Sequence, residues 1–463
     1  MSRPAFGEEL RTTASLAGPL VLGHLSTGLV SFVDNVIAGH HGTRTLASVT
    51  IGTALYWLPL TVVLGTLMSV PPAVSQLAGA GRRREIGPLF RQALWLALGL
   101  GPLLFAFLTF LPRALGPIGI SPEIAPGATA FLHGLRWGVP AFTLFLVMRY
   151  LTDGLHFTLP SMLLSFSGLL LLVPLGYALT FGAFGLPELG ARGLGLASAA
   201  VMWWQTAMLA LYLARAKRFA DLGLFARFDP PRLSQIRELA AVGVPIGFTV
   251  LMEGSLFIAA SLLIGRLGEV PAAAHQVAIN VASLCFMVPL GLAEATTVRV
   301  GHAVGAVDFA GVRRAALAGF LLMLGTQALT GAVLLFGRGR LVTLYSDDVR
   351  VGALAASLML YAAAFQFPDG AQVLANGSLR GLKDTRVPML LAALAYWGVG
   401  IPLGAFLALG AGLGPKGMWV GMIAGLSVAA LLLGSRFVRS SRAHFLASAA
   451  STSRSTADES PVV

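Results

Sequence analysis

Long apolar runs follow one another along the whole chain, separated by short stretches rich in Arg, Gly, Pro and Asp. Each run is about 20 residues long, enough for a helix rising about 1.5 Å per residue to cross a hydrocarbon core of roughly 30 Å. Polar positions within the runs do not alternate with apolar ones, so the pattern predicts helices and not the strands of a membrane barrel. Twelve spans are predicted, near residues 15–39, 46–76, 91–111, 129–150, 160–182, 192–215, 240–265, 272–302, 313–336, 353–378, 387–410 and 416–438.

The pattern occurs twice. A shift of 226 residues carries Pro19 to Pro245, Gly39 to Gly265, Gly42 to Gly268, Gly65 to Gly291 and Gly79 to Gly305. A shift of 228 carries Pro140 to Pro368, Pro160 to Pro388 and Pro174-Leu175-Gly176 to Pro402-Leu403-Gly404. Six helices per copy is an even number, so both copies enter the membrane from the same face and are related by an axis along its normal. The expected fold is an all-α polytopic membrane protein, with twelve transmembrane helices in two parallel-repeat six-helix lobes around a central cleft. The expected boundaries are an N-lobe at 1–215, a cytoplasmic linker at 216–238, a C-lobe at 239–438 and a disordered cytoplasmic tail at 439–463.

Composition agrees with a bilayer. Of the 463 residues, 56% are hydrophobic and 11% charged, against about a quarter charged in ordinary globular domains. The net charge of +12 does not imply nucleic acid, because the basic residues sit in loops too short for a soluble binding module. Arg82-Arg83-Arg84, Arg91, the stretch from Arg215 to Arg237, Arg313-Arg314, Lys383 and the end from Arg436 onward fall on one side of the predicted spans, which holds 22 of the 32 Lys and Arg. By the positive-inside rule both termini are expected in the cytoplasm of a bacterial inner-membrane protein. The first apolar run has a counterpart in the second copy and so belongs to the fold, which argues against a cleaved leader. The single Cys285 excludes internal disulfides.

Proline and glycine repeat, but the buried acids do not. Asp34, Glu253 and Asp369 lie inside apolar spans, where a carboxylate costs roughly 2.5 to 3.5 kcal/mol, and the repeat sets Ala260, Thr27 and Ala141 opposite them. Glu253 and Asp369 fall near the middle of the first and fourth helices of the second copy. A facing pair there can hold a proton, a sodium ion or an organic cation, and the alternative is a purely structural pairing. No Lys or Arg is mid-helix beside them. Glu294 is five residues before Arg299, and Asp153 follows Arg149 at i+4, the spacing of a helical salt bridge. No GxxxxGK[ST], HExxH or GxSxG pattern is present, so neither ATP hydrolysis nor common hydrolytic chemistry has its parts and the chain is not expected to be an enzyme.

Val33-Asp34-Asn35, Met252-Glu253, Ala273-Ala274-His275-Gln276, Phe286-Met287-Val288-Pro289-Leu290-Gly291, Val298-Arg299-Val300-Gly301 and Phe365-Gln366-Phe367-Pro368-Asp369 with Leu379-Arg380-Gly381 together resemble the multidrug and toxic compound extrusion (MATE) family, in its NorM-like bacterial branch. The resemblance covers the chain up to about residue 440 and implies an antiporter that exports organic cations in exchange for Na+ or H+. It matches Glu253 and Asp369 to the family's second-lobe acids, a possible Na+ site, and Asp34 to its first-helix acid. It departs at Leu172 and Gly176, where relatives commonly carry asparagine, and at Phe365, where a tyrosine often stands. Asn35, Gln276 and Asn280 are further polar candidates, and Phe257, Phe286, Met287 and Phe367 suit flat lipophilic cations through dispersion and cation-π contact. No cofactor is expected, and the chain is expected to act as a monomer. A flippase for lipid-linked precursors, with the same two-lobe layout, and a non-transport membrane enzyme or scaffold remain as alternatives.

Overall fold

The computed structural model describes residues 6–345 and 348–458, with side chains described up to Arg442. Among the described residues there is no strand, and twelve helices are long and apolar enough to cross a membrane. They are α1 (Phe6–His41), α2 (Thr43–Gly79), α3 (Arg83–Ala114), α4 (Ala125–Gly154), α5 (Leu159–Phe181), α6 (Ala191–Arg215), α7 (Leu233–Gly265), α8 (Glu269–Gly305), α9 (Phe309–Thr343), α10 (Val349–Gly381), α11 (Arg386–Gly410) and α12 (Pro415–Arg442).

Several helices outrun the hydropathy that located them. The 37 residues of α8 make a rod of about 55 Å, because helical hydrogen bonding continues past the point where side chains turn polar. Between α1 and α2 the chain turns at Gly42, and between α7 and α8 at Gly268, with φ of 151° and 114°. These two glycines are partners under the 226-residue shift, and each takes a backbone conformation that a side chain disfavours. Pro19, Pro174, Pro245 and Pro368 lie inside helices. Pro140 follows a 3-10 turn at Arg136–Gly138 in α4, and Pro402 stands between π-helical segments at Leu394–Gly400 and Phe406–Gly410 in α11. Each proline withholds one backbone donor, which is where a regular helix loosens.

The chain forms two compact units, and they do not divide in the 216–238 stretch. One holds Leu22–Ala78 and Arg82–Phe248, the other Met1–Val21, Gly79–Gly81 and Thr249–Val463. The division cuts α1 after Val21 and α7 after Phe248, positions that correspond within one residue under the repeat. Packing explains it. Within the first unit, the start of α7 lies against α2 so closely that a Cβ on Gly65 would stand 2.3 Å from the Gly247 Cα; within the second, the start of α1 lies against α8, where a Cβ on Gly291 would meet Val21 at 2.6 Å. Arg299 of α8 there holds Glu9 and Thr13 of α1. Arg299 therefore pairs with Glu9, a partner 290 residues away in sequence.

The stretch expected as a linker is packed onto the first unit. Arg91 donates to Asp229 at 2.7 Å and to the Gly223 carbonyl at 2.6 Å, Gln92 donates to the Pro230 carbonyl at 3.0 Å, and Trp95 donates to the Asp229 carbonyl at 2.9 Å. The Arg91 hydrogen bond holds the Asp229 carboxyl below the usual carboxylate range, with Arg227 and Arg232 adding to it. At the other end, α12 continues across the expected tail boundary as a helix spanning Pro415–Asp458. Ser440 and Ser441 are buried, and Asp384 accepts from Arg436 and from Ser440, both at 2.8 Å. That anchor extends order past residue 439. The remainder of the expected tail, from residue 443, lies outside the described side chains.

Candidate functional site

The second unit brings Glu253 of α7 and Asp369 of α10 to one place and adds three residues that the sequence reading did not select. Gln372 Nε2 donates to Glu253 Oε1 at 2.8 Å, and the Tyr396 hydroxyl donates to Gln372 Oε1 at 2.8 Å. Gln372 and Tyr396 are fully buried, Asp369 is 1% exposed, and Glu253 is only half-buried. The charges of Glu253 and Asp369 act on one another, and that of Arg380 acts on Glu253. Arg380 is 5% exposed. It sits at the end of α10 and not mid-helix, a buried basic charge that the sequence reading did not count.

Local sequence explains the assembly. Gln372 follows Asp369 at i+3 and so shares its helix face, a signal present in the chain itself. Tyr396 is a lone polar group in an apolar run, and it reaches Gln372 from the π-helical segment at Leu394–Gly400. Such segments are rare and widen the turn, which re-aims a side chain. Asp369 Oδ1 is buried without a hydrogen-bond partner, an oxygen positioned to accept a cation or carry a proton.

The other candidates separate. Phe257 is one turn beyond Glu253 and meets Phe365 edge to face at 6.0 Å; Phe365 in turn meets Trp419 at 5.6 Å. His275 packs on Trp419 at 5.9 Å and exchanges a 3.0 Å hydrogen bond with Ser261 through Nε2, while its buried Nδ1 has no partner. Gln276 and Asn280 are exposed and bond each other at 2.9 Å. Phe286 packs into a separate cluster with Leu16, Leu20 and Leu292, Met287 is half-buried, and Phe367 is 39% exposed near Gly331. Among the described residues, neither Gln276 nor Asn280 bonds to the carboxylate pair.

Asp34 belongs to the first unit, in a place of its own. It is buried, and it lines a cavity of about 140 Å³ together with Ser26, Tyr56, Ser198, Arg149 and Leu172. Asp34 Oδ1, Ser26 Oγ, the Tyr56 hydroxyl and Ser198 Oγ all lack protein partners. A cavity needs only about 10–15 Å³ to take one water, so several can serve these four oxygens. Asn35 is exposed, with only a long 3.5 Å contact from Thr50. Arg149 lies 3.5 Å from Asp153, at the i+4 spacing of a helical salt bridge, with Asp153 buried and Arg149 largely shielded.

A family model described as MatE matches residues 19–178 and 245–406. The two matched stretches begin 226 residues apart (245 minus 19) and end 228 apart (406 minus 178), the two shifts of the internal repeat. The chain is 65% identical over 439 residues to the Probable multidrug resistance protein NorM of Xanthomonas axonopodis pv. citri (strain 306), covering 95% of this chain and 96% of that one. It is 41% identical over 440 residues to the Multidrug resistance protein PmpM of Pseudomonas aeruginosa, covering 94% and 92%. Its fold is similar to the crystal structure of MATE in the straight conformation, with a TM-score of 0.86, 18% identity, and 94% and 97% of the two chains covered.

Proposed function

The chain belongs to the MatE family, and from that premise we propose that it is a secondary active antiporter exporting organic cations and drugs in exchange for Na+ or H+. One observation carries the reading: two carboxylates inside one apolar bundle, one half-buried and one fully buried, the second with an oxygen that has no hydrogen-bond partner. Anionic cargo, as a lipid-precursor flippase would carry, has no counterpart for this pair.

In this mechanism a coupling ion from outside occupies the Glu253 and Asp369 site, neutralises their mutual repulsion and weakens the hold on a cationic drug. The ion supplies about 2.3 kcal/mol for each 100 mV it crosses, besides its concentration gradient. The half-buried face of Glu253 admits the ion, and Gln372 holds the carboxylate in position between cycles. Asp34, with the three unpartnered hydroxyls of its cavity, forms a second cation-responsive site confined to the first unit. The crowded basic side, including Arg82, Arg91, Arg313 and Arg436, faces the cytoplasm of a bacterial inner membrane, and the protein acts as a monomer.

Purified protein in liposomes, with ethidium as cargo, tests this under sodium and proton gradients imposed separately. One of the two gradients is expected to drive transport, and Glu253→Gln and Asp369→Asn are each expected to abolish coupling. Transport driven by neither gradient, or undiminished in both variants, rejects the assignment.

A further inference from the structure

Away from the carboxylates, α9, α10 and α12 leave an apolar groove of about 680 Å³ on the second unit. Its lining runs from Ala310 to Phe320 on α9, from Ala371 to Ser378 on α10 and from Ala430 to Ser441 on α12. The ten residue steps on α9 span about 15 Å, half of a hydrocarbon core of roughly 30 Å. The groove is thus as long as one leaflet is thick. Its rim is exposed, at Leu317, Phe320 and Val438.

Polarity is confined to one end. Arg313 is the only charged residue in the lining; it is exposed and makes no hydrogen bond or ion pair among the described residues. Ser378 and Ser441 lie at the same end, but their hydroxyls are bonded back to the carbonyls of Leu374 and Val438, so neither competes for a headgroup. The neighbouring Arg314 and Arg436 are engaged by Asp308 and Asp384. A slot one leaflet long, apolar but for two serines bonded to their own helices and closed by a single uncommitted guanidinium, has the dimensions and charge of a phospholipid that carries a negative headgroup. We propose that this groove binds an anionic phospholipid, with one acyl chain along α9, α10 and α12 and the phosphate on Arg313.

The guanidinium geometry suits the occupant, since two parallel donors match two phosphate oxygens. Full-length protein in mixed micelles, probed by electron paramagnetic resonance with spin-labelled phosphatidylglycerol and phosphatidylcholine, reads the selectivity directly. The wild-type chain is expected to immobilise phosphatidylglycerol preferentially. Arg313→Gln is expected to lower that preference about fivefold, the weight of one basic residue at an anionic surface, while Arg313→Lys retains most of it. Ala430→Phe, which fills the apolar part and leaves Arg313 in place, is expected to reduce immobilised phosphatidylglycerol as well; Ala375→Leu is the substitute if that variant does not fold. No wild-type preference, an undiminished preference in Arg313→Gln, an equal loss in Arg442→Gln outside the groove, or displacement of the lipid by glycerol phosphate would each overturn the proposal.

Discussion

Replacing Gln372 by leucine keeps the volume of the side chain and removes two hydrogen bonds at once. The Tyr396 hydroxyl then has no acceptor, and Glu253 loses the amide that donates to it at 2.8 Å. A hydrogen bond to a charged group is worth about 1.5–3 kcal/mol, and because Glu253 is half-buried, water replaces part of it, which favours the lower figure. The loss falls on the empty site alone, since a bound cation supplies the carboxylate with its own counter-charge. The coupling ion should therefore bind more tightly by about 1.5 kcal/mol, roughly a tenfold change. Ion release then slows the cycle. In liposomes the half-saturating concentration of the driving ion should fall about tenfold in Gln372→Leu, with turnover falling alongside it. Tyr396→Phe leaves the amide on Glu253, so its half-saturation should stay within about twofold, a few tenths of a kcal/mol. An unchanged half-saturation in Gln372→Leu, or equal shifts in both variants, refutes the reasoning.

Two further outcomes test the scaffold. Gly65→Ala drives a methyl to within 2.3 Å of the Gly247 backbone, so it should cost about 1–3 kcal/mol by overpacking; Gly99→Ala, with nothing within 4 Å, is the neutral comparison in detergent melting curves, and equal melting temperatures would contradict the close approach. Asp229 lies outside the spans with its carboxyl held below the ordinary range by Arg91. Its contribution is complete above the unfolded value near 3.9 and vanishes as pH falls through the lower folded value. Melting of Asp229→Asn should therefore trail the wild type at pH 6 and converge with it as the pH drops below about 4, and a gap independent of pH would exclude this origin.

Hydropathy and the doubled prolines made the helices and their number legible, because a bilayer admits few other solutions for such runs. The exchange at Val21 and Phe248 was hidden, since a repeat shows which segments are alike and not which neighbour each one packs against. Glu253 and Asp369 stood out as charges in apolar surroundings. Arg380 did not, being close to Lys383 and Arg386 in a sequence that reads as a basic loop, although its helix turns it inward. Tyr396 needed the π-helical segment of α11 to reach Gln372, and no residue pattern in that run announces a widened turn. Asn35, Gln276 and Asn280 are polar candidates in apolar helices, yet all three are exposed.

The crossing-over of first segments has a consequence for biosynthesis. Neither compact body can be finished from its own repeat: the one containing α2 lacks its wedge until residues 233–248 leave the ribosome, and the one containing α8 must keep Phe6–Val21 waiting until α8 arrives. A gene cut at the repeat boundary would thus yield two fragments that each expose an unfilled seam, and function would return only when both are made together.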